Sequence, residues 1–272
     1  MVPRPHSSHP GLSVQPDRAV TVHRTLPEEV AVAMVFDGSS AAVMMATPAD
    51  VQDLAVGFAL SEGIVTAPDQ LDGFELAEHP DGLEARFWLR NDRAEALAAR
   101  RRFMAGPVGC GLCGIDSLQA AARELPAVSD GPRFTRAEVA RATDMLRGQQ
   151  PLHDQTHATH AAGFLVPEQG ITLVREDVGR HNALDKLIGA MARQGVDPAT
   201  GAVVMTSRLS VELVQKCAVA GVTTLIAVSA PTAHALRLAD GVGMTLAAFA
   251  RGGGFDIYSH PHRIVDEVSD VA

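Results

Sequence analysis

The second half of the chain alternates strand and helix signals so regularly that only a few architectures can accommodate it. Strand-like apolar runs stand at Gly163–Val166, Ile171–Val174, Ala202–Met205, Thr224–Val228, Thr245–Phe249 and Phe255–Tyr258. Between them the 3.6-residue period predicts helices over Ala183–Gln194, stopped by Gly195, and over Val211–Ala220, stopped by Gly221. A third starts at Ala230-Pro231-Thr232 and runs to about Ala239. This order predicts an α/β domain over residues 131–272, with a mostly parallel sheet covered by helices on both faces. A further amphipathic helix is expected at Arg136–Arg147.

The first half reads differently. Residues 1–20 are rich in Pro, Ser and His without periodicity, which predicts a flexible tail. Residues 21–105 predict a small α+β domain. Its strands are expected near Val20–Val22, Val30–Phe36, Ala41–Met45, Gly73–Ala77 and Leu83–Leu89, with a hairpin turn at Asp37-Gly38-Ser39-Ser40. Thr47-Pro48-Ala49-Asp50 reads as a helix start, with Thr47 as N-cap and Pro48 at the first helical position. Val51, Leu54, Ala55, Phe58 and Ala59 then share one face, and the helix ends near Gly63. Residues 106–130 hold a Gly- and Pro-rich loop with Cys110 and Cys113, followed by a helix over about Ser117–Arg123 that Asp116 is placed to cap.

In an open α/β sheet, ligands bind beyond the carboxyl ends of the strands. Those ends carry Arg175-Glu176-Asp177-Val178-Gly179-Arg180-His181-Asn182, Thr206-Ser207-Arg208-Leu209-Ser210, Ser229-Ala230-Pro231-Thr232 and Ala250-Arg251-Gly252-Gly253-Gly254. Arginine forks and approachable glycine backbone suit an anionic ligand, so Arg175, Arg180, Arg208 and Arg251 are expected at the ligand edge. The same residues admit plainer roles. Asn182 as N-cap with Asp185 three positions on would simply cap a helix, and Arg175, Glu176 and Asp177 would form a solvated ion-pair cluster. No loop matches a phosphate loop or a Gly-x-Gly-x-x-Gly fingerprint, which argues against ATP hydrolysis and hydride transfer. The formal charge of −9 argues against nucleic acid as a partner, because that affinity comes from many phosphate contacts. Of 23 basic residues only Lys186 and Lys216 are lysines.

Three cysteines, two of them three residues apart, do not make a secreted disulfide framework. As a zinc site the Cys110/Cys113 pair lacks two partners at ordinary spacing, so no metal is expected. As a thioredoxin-like pair it should open a helix directly after a strand, which it does not. A nucleophilic or sulfur-carrying thiol fits a glycine-rich loop better, and Arg100, Arg101 and Arg102 nearby favour the thiolate. Cys217 reads as a small buried hydrophobe. The N-terminus has no apolar signal region, and no apolar run reaches the roughly 18 residues that span a bilayer. A soluble cytoplasmic protein with no membrane partner is expected.

Several blocks resemble the FdhD family of formate dehydrogenase accessory sulfurtransferases over nearly all the chain after the tail. They are Thr47-Pro48 with Gly57-Phe58-Ala59-Leu60-Ser61-Glu62-Gly63, Cys110-Gly111-Leu112-Cys113-Gly114, and the twelve residues from Arg175 to Lys186. Glu212–Lys216, Ser229–Thr232 and Tyr258-Ser259-His260-Pro261 with Arg263 agree. The resemblance implies a cytidine-deaminase-like three-layer αβα domain with a smaller N-terminal α+β domain, and a homodimer. It implies that a cysteine desulfurase is one partner and formate dehydrogenase another. Sulfur would be taken as a persulfide on Cys110, with Cys113 in support, and passed to the molybdenum bis-molybdopterin guanine dinucleotide cofactor. That cofactor, or a guanine nucleotide in its place, would bind at Phe249, Ala250, Arg251, Gly252, Gly253 and Gly254. The alternative is a chaperone that binds the cofactor without chemistry of its own.

Two departures stand out. The family's Thr-Gly-Gly-x-His reads Thr156-His157-Ala158-Thr159-His160 here, and its Ser-Gly-Arg reads Thr206-Ser207-Arg208. A zinc deaminase needs His-x-Glu followed later by Pro-Cys-x-x-Cys. His160-Ala161-Ala162 offers no glutamate and the Cys pair lies upstream, so deaminase chemistry is not expected.

Overall fold

The computed structural model describes residues 2–90 and 124–266. At its start, β1 (His6–Gln15) and β2 (Arg18–Pro27) form an antiparallel hairpin in register from His6↔Pro27 to Gln15↔Arg18. The flexible tail expected over residues 1–20 is thereby corrected. Alternation is the signal for a strand only when one face is buried. Here both faces are largely exposed, with Leu12 and Val14 in solvent, so the pairing rests on backbone hydrogen bonds that leave no side-chain pattern.

A four-stranded sheet follows in the order β4-β3-β6-β5, from β3 (Val30–Phe36), β4 (Ser39–Ala46), β5 (Leu71–His79) and β6 (Gly82–Leu89). Asp37 and Gly38 make the predicted turn, both at positive φ (49° and 71°), and Asp37 Oδ1 accepts from the Leu89 N–H at 2.8 Å. Helix α1 (Val51–Ser61) lies on this sheet, burying Val51, Leu54, Ala55, Phe58 and Ala59 with Val32, Met34 and Phe36. Its N-cap is Asp50 in the left-handed region, not Thr47. Thr47 is fully buried and serves a long-range contact instead, described below.

The remaining elements are β7 (Phe134–Thr135), α2 (Arg136–Arg147), α3 (Pro151–Thr156), β8 (His160–Val166), β9 (Gly170–Asp177), α4 (Arg180–Gln194), β10 (Ala202–Met205), α5 (Val211–Ala220), β11 (Thr224–Ala227), α6 (Ala233–Gly241), β12 (Thr245–Arg251), β13 (Gly254–Ser259) and β14 (Ile264–Val265). Thr135 and Glu138 form a reciprocal capping box at the start of α2. The sheet order is β13-β12-β11-β10-β8-β9. Only β10–β11 and β11–β12 are parallel, while β8–β9, β8–β10 and β12–β13 are antiparallel. The sheet is therefore mixed, which corrects the mostly parallel expectation. Two of the connections, β8–β9 and β12–β13, are hairpin turns too short for a crossover. In β10 and β11 every residue is buried, because α4, α5 and α6 cover one face and α2 the other. Three layers result.

The two parts meet where α1 crosses α4. A Cβ on Gly57 would sit 1.7 Å from the Asp185 carbonyl oxygen, and one on Gly189 would sit 1.9 Å from that of Asp53. Glycine at both positions is what lets the helix backbones touch. The expected domains 21–105 and 131–272 thus share α1, which packs on the small sheet with one side and on α4 with the other. The expected helix over Ser117–Arg123 lies outside the described residues.

Candidate functional site

β9, β10, β11 and β12 run in one direction, with β8 and β13 opposed to them. Their carboxyl ends therefore bring the four predicted loops to one edge, and the start of β8, His160, joins them there.

Much of the charged block from Arg175 to Lys186 turns away from that edge to hold the fold. Asp177 and Lys186 form an ion pair at 2.7 Å with neither side chain exposed. Asp177 also accepts from the Thr47 N–H at 3.0 Å, the Gly179 N–H at 2.8 Å and Asn182 Nδ2 at 3.0 Å. Lys186 Nζ donates to the carbonyl of Thr47, and Thr47 Oγ1 accepts from the Val178 N–H. Asn182 is not the N-cap of α4, a position Gly179 takes; its amide bridges Asp177 and the Met45 carbonyl. Glu176 accepts from the N–H groups of Leu152 and His153, both at 2.8 Å, at the start of α3. A solvated cluster is thus ruled out for Asp177 and Glu176. Arg175 is corrected as well: its guanidinium lies 2.8 Å from Asp53 of α1, which Arg193 also pairs. It is spent between layers and does not face the edge loops.

A second buried pair lies deeper. Lys216 reaches Asp185 at 3.0 Å, Glu62 at 2.9 Å and Ser61 Oγ at 2.9 Å, and Ser61 donates to Asp185 at 2.7 Å. Burial pulls the Lys216 ammonium down, but the Asp185 and Glu62 carboxylates more than offset it and hold it above the usual lysine value. The Gly57–Gly63 and Glu212–Lys216 blocks are joined here.

The polar residues left at the edge are Arg180, His181, Thr206, Ser210 and His160, all half-buried, and Arg208, which is exposed. Thr206 Oγ1 accepts from the Ala161 N–H at 2.9 Å and lies 3.4 Å from His160 Nδ1. Burial, then Arg180 and His153, lowers the His160 pKa. Burial, then Arg180 and Lys216, pushes His181 down to about 4, so its ring is neutral at pH 7. Its Nε2 is 3.9 Å from Glu212. Arg208 is exposed at the mouth. The arginines of these loops carry the expectation of an anionic ligand; His181 and Ser210 stand beside them, in the first turn of α4 and at the N-cap of α5.

The segment 249–254 forms a second feature. Phe249 takes φ 53°, and its ring lies 6.5 Å from that of Tyr258. Arg251, Gly252, Gly253 and Gly254 are exposed, with Gly252 and Gly253 at φ 60° and 80° in the β12–β13 turn. An open groove of about 810 Å³ runs from Gly253–Tyr258 to Arg136, Ala137 and Ala140 of α2. Ala250 is the exception: its side chain is in the core and its carbonyl accepts from Thr143 Oγ1. Phe249, Arg251 and Gly252–Gly254 are brought together; Ala250 supports them from beneath. Cys110 and Cys113 lie outside the described residues. Cys217 is fully buried and its thiol pushed up by that burial. Among the described residues no group of three or more His, Cys, Asp or Glu side chains is placed to hold a metal ion, and no helix is long and apolar enough to cross a membrane.

Comparison with known proteins places this architecture. A model of the FdhD/NarQ family matches residues 27–265. The chain is 48% identical to the sulfur carrier protein FdhD of Agrobacterium fabrum over 246 residues, covering 90% of this chain and 91% of that one. It is 49% identical over 244 residues to the sulfur carrier protein FdhD of Brucella abortus, covering 89% and 91%. A crystal structure from Desulfotalea psychrophila, assigned as a formate dehydrogenase accessory protein, superposes with a TM-score of 0.74 at 22% identity, over 96% of this chain and 99% of that one. At that identity the last likeness speaks for the fold.

Proposed function

Because the chain belongs to the FdhD/NarQ family, we propose that it is a sulfur carrier in the maturation of formate dehydrogenase, working through a persulfide on Cys110. One observation carries the assignment of the thiol. Of three cysteines, Cys217 is sealed in the core with its thiol pushed up, so thiolate chemistry falls to the Cys110/Cys113 pair. In the first step the Cys110 thiolate attacks the outer sulfur of a desulfurase persulfide. A new S–S bond forms on Cys110, the old one breaks, and the desulfurase cysteine leaves as its thiolate. Cys113 supports the transfer. The cargo is the molybdenum of bis-molybdopterin guanine dinucleotide, which receives the sulfur as substrate.

The groove beside Phe249 and Tyr258 has the character such a cargo needs. Tyr258 in its wall, with the Phe249 ring 6.5 Å away, suits a planar base, and the Gly253–Gly254 backbone that lines it is unobstructed by side chains. The three-layer part is read as cytidine-deaminase-like, and the protein as a cytoplasmic homodimer in a compartment that keeps thiols reduced.

Mass spectrometry after incubation with a desulfurase and cysteine tests the reading. A gain of one sulfur atom on Cys110, lost in Cys110→Ala together with formate dehydrogenase activation, is expected. Full activation by Cys110→Ala overturns it and leaves a chaperone that only binds the cofactor. GDP at about millimolar concentration should raise the melting temperature; no shift overturns the groove assignment.

A further inference from the structure

We infer that the β1–β2 hairpin is a dimerisation arm, whose distal half docks in an acidic groove at the end of the small sheet of a second copy of this chain, while that copy's arm docks in return. The inference rests on the homodimer reading above and gives it a contact surface.

The ten paired residues of each strand, from His6↔Pro27 to Gln15↔Arg18, span about 33 Å at roughly 3.3 Å per residue. Two strands by themselves are marginal in water unless a face is covered. β2 passes beside α3, yet no residue of β1 or β2 enters a hydrophobic core among the described residues. The distal half instead holds apolar side chains out in solvent. Leu12 and Val14 share one face and are 65% and 72% exposed. Val20, opposite Ser13, is 49% exposed on the other face. Apolar side chains presented on both faces of a long arm suit contact with another molecule.

Charge selects the partner. Of the 32 acidic residues only Asp17 lies before Glu28, against Arg4, Arg18 and Arg24. The arm is therefore basic, and the body it stands on carries all of the acidic excess. That excess meets apolar surface in a groove of about 790 Å³, lined by Glu29, Glu78 and Asp81 together with Val30, Met45 and Pro80. Met45 is 52% exposed there. The groove thus complements the arm in both respects, apolar wall for Leu12 and Val14 and carboxylates for Arg18 and Arg24. It is out of reach of the arm on its own chain. The Glu28 N–H donates to the Pro5 carbonyl at 2.9 Å, which fastens the arm's base two residues before Val30. The tip stands a full strand length away, and folding it back would break the ladder. An arm and its complement at separate places on one chain make a self-complementary contact, in which a two-fold axis lets each arm meet the other's groove. The arm lies before residues 27–265, which the family model matches, and the proposed persulfide chemistry makes no use of it.

Sedimentation equilibrium of the full chain tests the arm. Wild type is a dimer at about 10 μM. Leu12→Glu combined with Val14→Glu weakens the dimer by about a hundredfold with the far-ultraviolet circular dichroism unchanged, since neither side chain packs in a core. Arg18→Glu combined with Arg24→Glu gives a monomer, and so does Glu29→Arg combined with Asp81→Arg. Mixing these two charge-reversed chains restores a dimer, because both arm–groove contacts then join opposite charges. Dimers formed by either reversed chain alone, or no association in the mixture, overturn the inference. A wild-type dimer whose strength is unchanged by Leu12→Glu with Val14→Glu overturns the arm and leaves the homodimer on another surface. A wild type still monomeric at about 100 μM overturns both. None of these results touches the gain of sulfur on Cys110, which mass spectrometry reads separately.

Discussion

His181 and His157 show how one side chain can carry a position's history. His157 closes α3 at φ 55° and ψ 21°, a left-handed conformation that favours glycine. That is the position at which the family motif has its first glycine; histidine tolerates the region better than most residues do. Ala158 and Ser207, the other substituted glycines, have no positive φ, so nothing in their backbone demands glycine. His181 has a measurable consequence. Its folded pKa is about 4 against an ordinary 6.5, so below pH 6.5 the unfolded chain takes up a proton that the folded chain refuses. Stability therefore falls as pH drops from about 6.5 to about 4, by at most about 3 kcal/mol. His160 adds a slope of the same sign. Urea unfolding at a series of pH values should show His181→Gln flattening this loss; an identical slope in the variant contradicts the burial of the ring. The sequence displayed His181 plainly, but not its enclosure.

Among the elements, the α1–α4 crossing is where a small change does most damage. Gly57 and Gly189 each lie against backbone of the opposite helix, and backbone cannot rotate away as a side chain can. Gly57→Ala should destabilise by about 3 kcal/mol or prevent folding, since overpacking forces both helices apart. Gly241→Ala, in α6 with open space around it, should be neutral or slightly stabilising. Denaturant midpoints of the two variants check the contrast. Helices with one buried face and the wholly apolar, fully buried strand Ala202–Met205 were legible: Arg136–Arg147 and Val211–Ala220 fall where their periods put them. The β1–β2 hairpin was not, because neither of its faces is buried. The antiparallel strands β8, β9 and β13 have the same local pattern as parallel ones, so strand direction was not legible either.

At the scale of the whole molecule, the two lysines are both internal. Lys186 is 0% and Lys216 8% exposed, each in an ion pair with a buried aspartate. Breaking such a pair by removing one partner costs about 3–5 kcal/mol. An amine-reactive ester at neutral pH should therefore modify neither lysine in the folded protein and both after unfolding. Peptide mapping reads this directly, and labelling of Lys186 in the folded state would contradict the packing. Basic surface is left entirely to arginine, beneath a net charge of −9. What the sequence determined by itself was local and additive: the period of each element, the turn at Asp37-Gly38, the convergence implied by alternation, and the motifs that announce the family. What the tertiary structure alone decided is which charged residues are spent inside and which face the edge. Thr47 and Asp177 are 130 residues apart, and Arg175 and Asp53 are 122 apart, yet they hydrogen-bond. The role of a charge follows from its burial and its partner, and both are set by segments meeting through space, a property that no window along the chain contains.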